Sequence, residues 1–412
     1  MGGRNPAVAG WAEATAHRVR LLREEVSHVF RSQAQPEPER PPGVHGLALG
    51  LTGTHQMNDE SPGSAPTGDQ AAETTRSPLM IVGCPRSGTT FLAHMINRFL
   101  DMHVARDAGV FLRFYRALPH YGDLSHRPNM RRLIDDLYKD AMFRKRLLER
   151  GLALNQDELC EAVREPSYVG LVRQVFIETA RTHGKPHWGN KKPSYALHLS
   201  ELEAIIPHAK TVHIIRDGRD VVLSMRRSSR LLVEKNWYFA ASDWVEHVRL
   251  GRRTGQVLGP ERYMEIKYET LLTDPITVFQ QLLEFTGARD AREQLEKVKG
   301  GIHAKIRGGN FDKWRTQMPE KAIRIVERVG GDLLEDLGYA LQFPAEAGRR
   351  FSAAQVGLFA VDRVFRNLFT RDARQFVSAH YNEFASAGRA RFGALLGRRS
   401  APSGGSKTPI EP

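Results

Sequence analysis

The chain has 412 residues, 41% of them hydrophobic, and a formal net charge of +13 from 60 Lys and Arg against 47 Asp and Glu. That length suits two or three folding units, one of which can be an α/β core of more than about 200 residues, and the apolar fraction is enough for a real core. Two cysteines, Cys84 and Cys160, exclude a disulfide framework, and no run of eighteen apolar residues suggests a transmembrane helix.

The pI of about 9.8 points to anionic partners: nucleotides, acidic glycans, nucleic acid or a membrane surface. Liberal use of arginine is the plainer account of the same charge. The cysteine usage fits a reducing compartment. The first residues lack a signal-peptide apolar region, and Glu13, Glu24 and Glu25 argue against a transit peptide, so the expected location is cytoplasmic.

Residues 11–31 have Val19, Leu22, Val26 and Val29 on one helical face, and residues 33–77 read as a Pro/Gly/Ser-rich linker. Leu79–Val82 reads as a buried strand. Thr89 opens a helix with Phe91, Met95, Ile96 and Phe99 at helical spacing. Residues 131–150 and 157–183 read as helices, the second broken by Gly184-Lys185-Pro186. His198–Ile206 is a helix closed by Pro207, Thr211–Ile215 a second apolar strand, and Asp220–Arg227 the start of a helix. Tyr263–Ile266 is a third strand, and Ile276–Phe285 a helix ended by Gly287. Alternating strands and helices predict a three-layer α/β fold, a mostly parallel sheet with helices on both faces as in P-loop nucleotide-binding proteins. The expected division is an N-terminal arm and linker over 1–77, the α/β domain over 78–345, and a basic helical extension over 346–412 that ends in a polar, disordered tail. In the extension, Val361, Val364, Phe365 and Leu368 form an apolar stripe.

"GCPRSGTT", residues 83–90, follows the first strand. Gly83 and Gly88 have Walker spacing, but Thr89 stands where the lysine should be, and the nearest cation is Arg86. A Gly-rich turn into a helix aims backbone N–H groups and a partial positive charge at one point, which makes an anion site. A kinase would add the lysine and a carboxylate for Mg²⁺, yet the strand Thr211–Ile215 runs into Arg216. "IIRDGRDVVLSM", 214–225, repeats the strand–turn–helix pattern, with Arg216 at the strand end, Arg219 beyond it, and Ser224 eight residues on from Arg216. Arg and a hydroxyl suit a second phosphate; the plain alternative is a surface ion-pair set of Arg216, Asp217, Arg219 and Asp220. Two anion receptors at adjacent strand ends suggest a nucleotide phosphorylated at two places.

These motifs resemble the sulfotransferases that use 3′-phosphoadenylyl sulfate (PAPS), over about Pro78 to Tyr339. The resemblance implies that Arg86, Ser87, Gly88, Thr89 and Thr90 bind the 5′-phosphosulfate and that Arg216 and Ser224 bind the 3′-phosphate. "HWGNKKPSY", 187–195, is similar to the family's Gly–acid–Lys–Thr–Pro segment: Lys191 matches its lysine, whereas Asn190 replaces the acid and Lys192 the threonine. "IKYETLLTDP", 266–275, implies that Tyr268 lies against adenine. "IRGGNFDKWR", 306–315, resembles the loop that closes over the cofactor and implies Arg307 as a further 3′-phosphate ligand. A sulfuryl on a single phosphate carries less charge than a terminal phosphate, which fits a loop without the lysine and without metal. The loop amides and Arg86 would stabilise the leaving phosphate.

An acceptor hydroxyl must lose a proton, so a general base is expected. Asp107 is the first candidate on its offset in the family, with a solvated loop or capping role as the alternative; His103 and His187 are the others. Lys191 would be a sulfuryl-oxygen ligand. Zinc at His183 and His187 is rejected because Gly184 and Pro186 forbid a shared helix face. Glu158, Glu161 and Glu165 have the spacing of an acidic helix face. The basic C-terminal helices, with Phe359, Phe365, Phe369, Phe376, Tyr381 and Phe392, are candidates for peripheral membrane contact, against the plainer reading that these aromatics pack onto the domain; nucleic acid is not expected as a partner. The expected activity is sulfuryl transfer from PAPS to an acceptor hydroxyl on a glycan, glycolipid, small metabolite or tyrosine. The competing readings are an atypical P-loop kinase and a non-catalytic nucleotide-binding module.

Overall fold

The computed structural model describes residues 76–106, 109–228, 236–288, 291–306 and 309–369. The chain divides into two compact units, one of residues 70–231 and 235–355, the other of residues 1–69, 232–234 and 356–412. The expected helix over 11–31, the linker up to residue 75 and the C-terminal tail lie outside the described residues, as do the side chains of Val364, Phe365 and Leu368.

In chain order the first unit begins β1 (Leu79–Gly83), α1 (Thr89–Phe99), β2 (Met102–Arg106), α2 (Val110–Ala117), α3 (Arg127–Lys139), α4 (Ala141–Arg146), α5 (Gln156–Ala162) and α6 (Tyr168–Thr182). It continues β3 (His187–Lys191), α7 (Leu199–Ile205), β4 (Lys210–Ile215), α8 (Gly218–Arg226), α9 (Trp237–Leu258) and β5 (Tyr263–Lys267). The helices α10 (Tyr268–Thr273), α11 (Pro275–Phe285), α12 (Ala291–Lys305), α13 (Trp314–Gln317) and α14 (Glu320–Asp336) complete it. A last described helix, α15 (Ala353–Phe369), belongs for the most part to the second unit.

The five strands form one sheet in the order β2-β3-β1-β4-β5, and every pairing is parallel. Alternate residues of β1 serve opposite faces. Met80 and Val82 join a core with Phe111, Phe176 and Trp188, while Leu79 and Ile81 join one with Leu92, Ile96, Ile214 and Phe279. A strand covered on both faces loses little by being apolar throughout, which is why Leu79–Val82 is an unbroken apolar run. The fold is thus the expected α/β arrangement, helices lying on both faces of a parallel sheet. A third cluster, with Ile215, Trp244, Trp314 and Val326, lies around α8, α9 and α14.

Several helix readings need correction. The expected helix over 131–150 is split at Asp140, which ends α3 and caps α4 by accepting from the N–H groups of Met142 and Phe143, each at 2.9 Å. The one over 157–183 is two helices. Pro166 stands in the break, and Ser167 caps α6 through Gly170 N–H at 3.0 Å. Glu158, Glu161 and Glu165 therefore do not lie on one helix, Glu165 falling in the break: Glu158 closes a capping box with Asn155, Glu161 pairs with Arg127, and Glu165 pairs with Arg173. The strands β2 and β3 and the long helices α9 and α14 were not among the expected elements.

Candidate active site

A parallel sheet sets the carboxyl ends of all its strands along one edge, where α/β folds hold their ligands. Most of the sequence-predicted residues fall there. Residues 84–88 follow β1, Lys191 ends β3, Arg216 follows β4 and Tyr268 follows β5. Asp107, which directly follows β2, and Arg307 lie outside the described residues.

The loop after β1 is tight. Ser87 N–H donates to the Cys84 carbonyl at 3.1 Å, and Cys84 is a buried packing residue, as its position at the strand end predicts. Gly88 caps α1 at φ 100, and a Cβ there would lie 2.4 Å from the Tyr268 ring. Arg86 adopts φ 78, a left-handed conformation that costs a non-glycine residue on the order of 1–3 kcal/mol. Thr89 is buried and Thr90 exposed at the start of α1. No side chain caps that terminus, so its first N–H groups point outward unclaimed by the helix.

The loops after β1 and β4 meet through their arginines. Arg86 Nε donates to Ser224 Oγ on α8 at 3.0 Å. Arg216 Nη1 donates to the Arg86 carbonyl at 3.4 Å and Nη2 to the Asn310 carbonyl at 2.7 Å. Ser224 thus faces the first loop's arginine. The Arg216 guanidinium lies over the Tyr268 ring, 4.6 Å from its centroid, and Asn310 Nδ2 donates to the Tyr268 hydroxyl at 2.7 Å. The segment that resembles a cofactor-closing loop is therefore tied to both residues, by an asparagine that sequence reasoning passed over. Ser87 Oγ and Arg216 Nε are buried and have no hydrogen-bond partner among the described residues.

The ion group beneath Arg216 is not a surface set. Arg219 is 1% exposed. It pairs with Asp217 and Glu327, each at 2.7 Å, donates to the Ala340 carbonyl at 2.9 Å, and lies 3.7 Å from the Trp314 ring centroid. Burial works against its charge, but Asp217 and Glu327 outweigh that and raise its pKa. Asp220 sits 3.5 Å from Arg216 Nη2 and accepts from Trp314 N–H at 3.0 Å, and burial raises its pKa. Glu269 accepts from Asp217 N–H at 3.0 Å and from the Tyr339 hydroxyl at 2.8 Å, and burial raises it as well.

Lys191 is 2% exposed at the end of β3. The two histidines offered as alternative bases lie elsewhere. His187 is the first residue of β3, about 13 Å along the strand from Lys191. His103 lies near the start of β2, stacked on His183 with ring centroids 3.8 Å apart, and burial with His183 lowers its pKa to about 4.

A family model described as "Sulfotransferase family" matches residues 78–292, just over half of the chain. The chain belongs to the sulfotransferase family. This sulfotransferase chain is 26% identical over 163 residues to carbohydrate sulfotransferase 5 of Mus musculus, a match covering 32% of the chain and 41% of that protein. It is 23% identical over 316 residues to the nodulation protein NoeE of Sinorhizobium fredii, covering 66% of the chain and 70% of that protein. It thus spans about two fifths of the mouse relative's length. Among solved structures, the sulfotransferase domain from the curacin biosynthetic pathway is 21% identical, with 64% of this chain and 98% of that one covered and a TM-score of 0.42. Among the described residues no helix of this sulfotransferase is long and apolar enough to cross a membrane.

Proposed function

We propose that this chain transfers a sulfuryl group from PAPS to an acceptor hydroxyl and releases adenosine 3′,5′-bisphosphate. The observation that carries the reading is the meeting of two strand-end anion receptors. Arg216 reaches the Arg86 carbonyl at 3.4 Å, Arg86 reaches Ser224 at 3.0 Å, and two buried polar atoms of these loops, Ser87 Oγ and Arg216 Nε, lack hydrogen-bond partners among the described residues. One nucleotide carrying a phosphate at each end of its ribose would satisfy both atoms, so the residues present fit the donor.

In this reading the amides of residues 88–90, the hydroxyls of Ser87, Thr89 and Thr90, and the Arg86 guanidinium receive the 5′-phosphosulfate. Charge that grows on the leaving phosphate meets donors already in place. Arg216 takes the 3′-phosphate, with Ser224 beside it and Arg307 as an additional ligand. Lys191 holds a sulfuryl oxygen, and Asp107 takes the acceptor proton. The kinase reading has weaker support: the carboxylate just beyond β4, Asp217, is bound through both oxygens to Arg219 and so is committed away from a metal.

The test is calorimetric binding of adenosine 3′,5′-bisphosphate against ATP–Mg²⁺, with Arg216→Ala as control, followed by turnover of PAPS with candidate acceptors. Preference for ATP supports the kinase. Tight bisphosphate binding that survives loss of Arg216 removes the 3′-phosphate assignment. Binding with no turnover supports the non-catalytic module.

A further inference from the structure

We infer that Tyr268 is a positioning residue that holds Arg216 in place for the 3′-phosphate and is not a platform for the adenine base. The inference rests on the reading of Arg216 given above and departs from the role that the sequence resemblance implies for this tyrosine.

Three contacts use up the ring. Its face carries the Arg216 guanidinium at 4.6 Å from the centroid, a cation–π geometry. One ring edge lies so close to Gly88 that a Cβ there would come within 2.4 Å of Cδ2 and 2.6 Å of Cε2. The hydroxyl accepts from Asn310 Nδ2 at 2.7 Å, and the carbonyl of the same Asn310 accepts from Arg216 Nη2 at 2.7 Å. Tyr268 is 4% exposed in consequence. A base stacks on an aromatic face that it can reach, and a ring this covered offers none.

The arginine needs such support. A guanidinium that reads a phosphate must be held in one plane, because its fork is directional. The Tyr268 face fixes that plane, and the two carbonyls fix the rotation within it, leaving Nε buried and without a hydrogen-bond partner among the described residues.

The two roles separate on ligand pairs. The probes are adenosine 3′,5′-bisphosphate and adenosine 5′-monophosphate, which share the base and differ in the 3′-phosphate, measured by calorimetry on the full chain. Wild type should bind the bisphosphate more tightly; equal affinities would overturn the assignment of Arg216 before any variant is made. Given that preference, Tyr268→Leu should reduce the ratio of the two affinities about tenfold and leave the monophosphate almost unchanged. Tyr268→Phe, which keeps the ring, should preserve the ratio. In an Arg216→Ala background, Tyr268→Leu should cost nothing further. Equal weakening of both ligands by Tyr268→Leu, or an added loss in the Arg216→Ala background, overturns the inference and restores the base platform. Should Tyr268→Leu not fold, a crystal structure of the unmodified chain with the bisphosphate decides. The guanidinium still within about 6 Å of the Tyr268 centroid and the base elsewhere supports the inference; the base lying on Tyr268 overturns it.

Discussion

Arg219→Met should cost the fold about 3–4 kcal/mol, a large share of the roughly 5–15 kcal/mol that holds a typical domain together. Arg219 is 1% exposed and faces two carboxylates, Asp217 and Glu327, each at 2.7 Å. Removing one partner of a buried ion group typically costs about 3–5 kcal/mol, because the charge left behind has neither water nor a counterion. Here the lower half of that range applies. Asp217 keeps the Arg219 backbone N–H at 2.8 Å, and Glu327 keeps the N–H groups of Gln342 at 3.0 Å and Phe343 at 2.7 Å. Methionine fills most of the volume, and its sulfur against Trp314 replaces part of the lost cation–π contact. The assay is urea unfolding with linear extrapolation for wild type, Arg219→Met, Asp217→Asn and the double variant. The double variant should recover about 1–2 kcal/mol relative to Arg219→Met, since it removes one stranded charge. A single-variant cost below about 1 kcal/mol, or a double variant whose cost is the sum of the two singles, refutes the reasoning.

Arg216→Ala should lower affinity for adenosine 3′,5′-bisphosphate on the order of 10–100-fold while sparing the 5′-monophosphate, by calorimetry. Gly88→Ala combines a left-handed φ of 100 with a Cβ 2.4 Å from Tyr268, so urea unfolding should show a loss of about 1–3 kcal/mol. Burial, with His247 and Arg252 nearby, lowers the pKa of His213 to about 3 from 6.5. The unfolded chain then binds the extra proton between those values, so this contribution to stability is complete above pH 6.5 and fades as pH falls toward 3. Unfolding midpoints from pH 8 to 5 should decline less steeply in His213→Gln than in wild type, by up to about 1.4 kcal/mol per pH unit; parallel curves count against it. Asp107→Asn should keep bisphosphate affinity and lower turnover about tenfold or more; an unchanged rate means the base is another group.

The parts of the fold legible in the sequence were those whose burial leaves a mark. β1 is apolar throughout and β4 carries Val212, Ile214 and Ile215 because both faces are covered, and the glycine-bearing turn after β1 announces itself by its spacing. β3 reads "HWGNK" and β2 "MHVAR", and neither passes as a buried strand by apolarity. Gly189 belongs in β3 because a Cβ there would lie 2.5 Å from the Leu79 carbonyl, a contact that only the paired strand reveals. Helix α9 contains Gly251 and Gly255, which look like breakers along the chain but admit the rings of His213 and Tyr263 in space. In the site, Arg86, Arg216 and Tyr268 could be singled out from motif order. Asn310 could not, since its value lies in bonds to residues 42 and 94 positions away. Arg219 and Asp220 were visible, but a charge run gives no sign of whether water reaches it, and here it does not.

The five helices between β2 and β3, α2 to α6, do not share the apolar cluster that seats α1 beneath the first loop. They pack with Met80 and Val82 on one side of the sheet, while α1 and α11 pack with Leu79 and Ile81 on the other. The apolar packing of the first group reaches β1 through Met80 and Val82 and not through the residues that seat α1. On the proposed function, exchanging residues 109–186 for the equivalent stretch of a relative should therefore leave bisphosphate affinity within a few-fold of wild type, as calorimetry on such a chimera would show.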